Sequence, residues 1–148
     1  MNVIFLDIDG VLNRTPCVPK GHPRIEPLLA QRLARLVLAA DASIVLSSTW
    51  RNWFYNGWIT LRGWECLLGT HGIDCRVIDV VDASLDKISA IEKWLSRHAV
   101  DRYVVLDDND LVGLNRIITD GHEGISEQDI VWAGHILGVD ISQYAVVG

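Results

Sequence analysis

The chain has 148 residues, 49% of them hydrophobic and 22% charged, with a formal net charge of −6 at pH 7. That length fills one hydrophobic core and is too short for two comfortable domains, so residues 1–148 are read as a single domain. The acidic balance, with no basic tail or stripe, argues against a generic polyanion binder, though not against a local basic pocket.

Asn2 to Leu6 is a strand-favouring apolar run that leads directly into Asp7-Ile8-Asp9-Gly10-Val11-Leu12-Asn13. Arg14 to Pro27 holds all four prolines and reads as a loop beside the strand end. Leu29, Leu33, Leu36, Val37 and Ala40 then recur at helical spacing, with Pro27 as a starter in the first turn. Ser43 to Ser47 is a short buried-type strand followed by Ser48-Thr49-Trp50-Arg51. Residues 52–70 are rich in tryptophan and read as short helical pieces closed by Gly69 and Gly72. Cys75 to Asp79 reads as a third strand, and Ser84 as the N-cap of a helix running to about His98 with Ile88, Ile91 and Leu95 on its apolar face. Arg102 to Leu106 is a fourth strand that runs into Asp107-Asp108-Asn109-Asp110, and Asn115 to Thr119 a fifth. Ser126 to Leu137 is a last helix, with Ser126 and Asp129 spaced as a capping box and Gly138 as a stop. The tail from Val139 to Gly148 carries no assignment.

Strands alternating with helices in this way imply an α/β fold: a doubly wound, Rossmann-like parallel sheet of about five strands flanked by helices, without a cap domain. Cys17, Cys66 and Cys75 form no CxxC pair, which disfavours zinc and disulfides and suits a reducing cytoplasm; Cys66 and Cys75 are read as packed thiols. The five histidines do not pair at ligand spacing. The N-terminus lacks the basic start and small-residue cleavage site of a secretory signal, and no apolar stretch approaches the ~20 residues that span a bilayer, so no membrane partner is expected.

In such a sheet, ligands bind beyond the carboxyl ends of the strands, where the strand order reverses. Three strand ends here carry polar groups: Asp7 and Asp9, Ser47 and Ser48, and Asp107, Asp108 and Asp110. In a strand that stayed regular, Asp7 and Asp9 would share one face, and two neighbouring carboxylates tolerate each other only if one is protonated, both are solvated, or a cation lies between them. A polar turn explains any one acidic strand end; the convergence of three favours a divalent cation, and all-oxygen ligation suits Mg2+. Around such an ion, a strand-end hydroxyl donates to a phosphate oxygen and a lysine neutralises developing charge, Lys87 being well placed near a helix start. One aspartate is then suited to attack phosphorus, and a second to protonate the leaving oxygen and activate water. Arg51 is a further phosphate-clamping candidate, and Asn13 and Arg14 border the site as candidates for substrate contact. Trp50, Trp53, Trp58 and Trp64 are dense enough for a base-stacking platform, although core packing of short helices is the favoured reading.

These motifs resemble the haloacid dehalogenase (HAD) superfamily of phosphohydrolases along nearly the whole chain. The resemblance implies Asp7 as nucleophile and Asp9 as general acid/base, with the Asp7 carboxylate and the Asp9 carbonyl on Mg2+. It further implies Ser47 as the second-motif hydroxyl with Ser48 adjacent, Lys87 as the third-motif lysine, and Asp107 as a metal ligand assisted by Asp108. Asp110 is an acid beyond the motif. The chain is similar in particular to the small uncapped type found as the HAD domain of Swiss-army-knife RNA repair proteins, through Asp7 to Asn13, through Ser47-Ser48-Thr49-Trp50-Arg51 and through Gly124. The expectation is a phosphatase working through an aspartyl-phosphate, on a nucleic-acid 3′-end or, alternatively, on free nucleotides or other small phosphate esters. A catalytically silent module that binds a phosphorylated ligand is the reading from another class.

Overall fold

Val3, Ile4, Phe5 and Leu6 are apolar on both pleat faces, a pattern that suits only a strand covered on both sides. They lie in the middle of the sheet. The computed structural model describes residues 1–14, 24–48, 56–57 and 59–144. Within them run β1 (Asn2–Leu6), α1 (Pro27–Ala40), β2 (Ala42–Leu46), α2 (Leu61–Thr70), β3 (Val77–Val80), α3 (Lys87–Ser96), β4 (Arg102–Asp107), β5 (Arg116–Ile118) and α4 (Glu127–Ile136). The sheet is five-stranded in the order β3-β2-β1-β4-β5, and every pairing is parallel. Starting from β1, the chain winds outward through β2 and β3, then returns to place β4 on the other side of β1. The order therefore reverses between β1 and β4.

Alternation along the strands divides the core. Ile4, Leu6, Ile44, Leu46, Val104 and Leu106 face α1, α2 and α4. Val3, Phe5, Val45 and Val105 face α3, where Phe5 meets the Trp94 ring edge-on at 5.5 Å. Helices thus cover both faces of a Rossmann-like sheet, and no cap is present among the described residues.

Pro27 opens α1 as expected, and Ser126 and Asp129 form the reciprocal capping box of α4. The start of α3 differs from expectation. The Asp82 carboxylate accepts from both the amide (2.8 Å) and the hydroxyl (2.7 Å) of Ser84, which holds Ser84 in a turn. Asp86 is the N-cap instead, accepting from the Ser89 amide at 3.1 Å. Ile91 is buried on α3, with Ile88 and Leu95 packed at its margin. The third strand also begins two residues later than Cys75, and Cys66 is exposed rather than packed.

Of the four dense tryptophans, Trp64 lies wholly in the core; Trp50, Trp53 and Trp58 lie outside the described residues. Part of the unassigned tail is a 3-10 turn (Ile141–Tyr144) whose Ile141 is buried in the α1/α4 side of the core. No helix among the described residues is long and apolar enough to cross a membrane.

Candidate active site

β1 and β4 end level with each other. Leu6 pairs with Leu106, and the Asp7 amide donates to the Leu106 carbonyl at 3.0 Å. Asp7 and Asp107 are therefore neighbours at the point where the strand order reverses. Continuing the alternation of Phe5 and Val105 puts both carboxylates on the α3 side of the sheet. The shifted N-cap makes Lys87 the first residue of α3, at the end of the helix nearest these strand ends. Its ammonium donates to Asp107 Oδ2 at 2.8 Å and lies 3.5 Å from Asp7 Oδ2.

A third acid completes the group: oxygens of Asp7, Asp107 and Asp108 all lie within 4.8 Å of one another. At that separation and an effective dielectric near 20, each pair of negative charges repels by about 3.5 kcal/mol. Among the described residues, one ammonium faces three carboxylates. Burial above all, then the Asp107 charge, pushes Asp7 up from 3.8 to about 7 against the opposing pull of Lys87. Asp108 is raised as well, by burial and by Asp107. Burial works to lower Lys87, but Asp7 and Asp107 outweigh it and hold the ammonium above its ordinary 10.5. A close set of hard oxygen donors short of positive charge fits a divalent cation such as Mg2+.

Asp9 is placed differently from a regular strand continuation. The chain turns at Ile8, whose carbonyl accepts from the amides of Val11 (3.1 Å) and Leu12 (2.9 Å). The turn takes the Asp9 carboxylate out of the three-acid group, and it accepts instead from Asn13 Nδ2 at 3.0 Å. Gly10 closes this loop on Asp108. It has φ +82°, and a Cβ at that position would stand 2.4 Å from Asp108 Oδ2. Thr119 Oγ1, just past β5, donates to the Gly10 carbonyl at 2.8 Å.

Ser47 and Ser48 are both buried at the end of β2, and the Ser47 amide donates to the Leu6 carbonyl at 3.0 Å. Alternation from Val45 assigns Ser47 to the side of Asp7. Asp110 forms an ion pair with Arg116, which accounts for the acid beyond the motif. Asn13 is fully buried and engaged by the protein, whereas Arg14 pairs with Glu26 and keeps its side chain half exposed. Arg51 lies outside the described residues. The sequence reading did not single out Gly10 or Thr119 as site-forming. The Asp-Gly pair was a visible turn signal for the first; nothing in the sequence marked the second.

The family described as the HAD domain in Swiss Army Knife RNA repair proteins matches residues 3–130. No curated protein and no solved structure matches the chain. The family match takes in Asp7, Asp9, Ser47, Ser48, Lys87, Asp107 and Asp108 together. At the superfamily level it supports a hydrolase of the phosphatase type, and HAD domains generally use Mg2+. With the match running from β1 into α4, the chain belongs to the family of HAD domains found in Swiss Army Knife RNA repair proteins.

Proposed function

We propose that the protein is a Mg2+-dependent phosphomonoesterase that works through an aspartyl-phosphate on Asp7, with a nucleic-acid 3′-end as its substrate. The observation that carries this reading is the Lys87 ammonium between Asp7 and Asp107, inside a three-carboxylate group at the reversal of strand order. Asp7, Asp107, Asp108 and the Asp9 carbonyl would hold Mg2+, which offsets their repulsion and supplies positive charge to a bound phosphate.

In the first half-reaction an Asp7 carboxylate oxygen attacks phosphorus, the ester P–O bond breaks, and Asp9 gives its proton to the leaving oxygen. In the second, Asp9 takes a proton from water, which attacks the phosphorus of the aspartyl-phosphate. Orthophosphate leaves and the Asp7 carboxylate is restored. Lys87 balances charge on the transferring group. Ser47, on the Asp7 side of β2, and Ser48 beside it offer hydroxyl donors to phosphate oxygens. Support for a nucleic-acid end comes from the family description and from the absence of a cap among the described residues.

The test is hydrolysis of p-nitrophenyl phosphate, 3′-phosphorylated oligonucleotides and nucleoside monophosphates with Mg2+, with EDTA, and with Asp7→Asn. Mg2+-dependent turnover, lost in both controls and fastest on the oligonucleotides, is expected. Preference for nucleoside monophosphates would replace the substrate reading. Refusal of all three would favour the silent binding module.

A further inference from the structure

We propose that Asn13 is a positioning residue for Asp9, an inference that rests on the reading of Asp9 as general acid/base. The Asn13 side chain is 0% exposed, and a buried amide is stable only with its polar atoms paired. Its oxygen accepts from the Gly10 amide at 3.0 Å. Its nitrogen donates to Asp9 Oδ1 at 3.0 Å and to the Arg24 carbonyl at 2.9 Å. The direction of the amide is fixed by its partners, since both groups facing the nitrogen are acceptors and the group facing the oxygen is a donor.

One planar group therefore ties three things together: the Asp9 carboxylate, the peptide that joins Asp9 to Gly10, and the returning chain at Arg24. The bond at Arg24 matters for rigidity. Asn13 is anchored from a segment distant in sequence, so its hold on Asp9 does not depend on the turn alone. With Oδ1 fixed and the backbone fixed on the C-terminal side, the Asp9 carboxylate has little freedom about χ1 and χ2. A general acid must meet the leaving oxygen within hydrogen-bond reach, and a rotamer change would remove it from that position.

A purely architectural asparagine and a positioning one differ in what their loss does. Softening the loop would slow every ester alike. Misplacing the acid slows esters in proportion to their need for a proton. An aliphatic alkoxide leaves poorly without one, whereas p-nitrophenolate leaves unprotonated. The quantity to compare is kcat/KM, which reports events up to formation of the aspartyl-phosphate.

The experiment measures kcat/KM with Mg2+ for p-nitrophenyl phosphate and for a nucleoside 3′-monophosphate. It uses the unmodified protein, Asn13→Ala, Asn13→Asp, Asp9→Ala and the Asn13→Ala/Asp9→Ala pair, with a melting curve for each. Asn13→Ala is expected to lose about 30-fold or more on the nucleotide and about threefold on the aryl ester. In the Asp9→Ala background it should add little on either, because the two residues act as a unit. Asn13→Asp keeps an acceptor for the Gly10 amide but replaces the amide donor to Asp9 with a second carboxyl that displaces the Asp9 carboxylate by repulsion, and carries the same expectation should the alanine variant fail to fold. Equal losses on the two esters, no loss on either, or additivity with Asp9→Ala would overturn the proposal. Unfolding of both Asn13 variants would also overturn it, assigning Asn13 to the fold alone. No turnover by the unmodified protein of either ester or of a 3′-phosphorylated oligonucleotide would instead defeat the phosphatase reading, which keeps the two failures apart.

Discussion

Replacing Lys87 with methionine removes the ammonium 2.8 Å from Asp107 and 3.5 Å from Asp7 while keeping most of the side-chain volume. Coulomb's law at an effective dielectric near 20 gives gross attractions of about 6 and about 5 kcal/mol at those distances. Desolvation of the charges cancels much of this, and breaking a buried pair from one side has a net cost of about 3–5 kcal/mol. Lys87 retains 15% side-chain exposure, so the lower part of that range, about 3 kcal/mol, applies in the metal-free protein. For a chain of this size that is a fall in Tm of roughly 6–12 °C. A divalent cation bound among Asp7, Asp107 and Asp108 would replace the lost charge. Mg2+ at about one hundred times its Kd stabilises whichever protein binds it by about 2.7 kcal/mol, so the gap narrows to the extent that removing the ammonium beside the site tightens Mg2+ binding to the variant. The assay is thermal unfolding of both proteins in EDTA and across a Mg2+ titration, followed by phosphatase turnover. Lys87→Met should melt well below the unmodified protein in EDTA, approach it at saturating Mg2+, and remain poorly active because the phosphate has lost its cationic partner. Equal melting temperatures in EDTA would refute the electrostatic account of the cluster. Melting temperatures that Mg2+ raises in neither protein would refute the metal site.

Two further outcomes follow from the same geometry. Asp7 has its pKa raised in the fold from 3.8 to about 7, so the stability linked to its proton is fully present below pH 3.8 and is lost as pH climbs towards 7. The ceiling on this term is about 4 kcal/mol. In EDTA the protein should therefore melt higher at pH 5 than at pH 8, and the gain from Mg2+ should be larger at pH 8; a Mg2+ effect that does not grow with pH would count against Asp7 as a ligand. Gly10→Ala adds about 1–2 kcal/mol of backbone strain at φ +82° and drives a methyl into Asp108. It should lower the Tm and weaken Mg2+ binding by titration calorimetry, and unaltered Mg2+ affinity would show that Asp108 is not a ligand.

The β-α alternation, the burial of β1 and the identity of the three strand ends were legible in the sequence because they rest on local periodicity. Lys87 was legible for a different reason, since a helix start after the third strand lies on the same edge as the ends of β1 and β4. The N-cap was misplaced at Ser84 because Asp82 competes for that hydroxyl and amide through a turn, a contest two side chains decide and composition does not. Asp9 was expected beside Asp7 on the premise of a regular strand; the turn at Ile8 breaks that premise. Thr119, and the hold of Asn13 on the loop where the sequence marked it only as bordering the site, were beyond reach for a common reason. Each acts on the loop through a partner set by the fold, Thr119 on Gly10 from the end of β5 and Asn13 on the chain at Arg24, and neither pairing has a signature in sequence spacing.

The central place of β1 has a consequence for how the chain is made. Its partner on one side, β2, is synthesised soon after it, but the partner on the other side, β4, runs from Arg102, 96 positions after β1 ends at Leu6, across the whole of α1, β2, α2, β3 and α3. Until β4 leaves the ribosome, the Val3-Ile4-Phe5-Leu6 edge has unpaired amides and carbonyls beside four apolar side chains, the kind of edge that recruits strands from other molecules. Closing it joins distant parts of the chain and, in the same event, brings Asp107 against Asp7. Divalent cation present at that moment would ease the approach of the two carboxylates, and the interval in which the edge stays open would shorten with it.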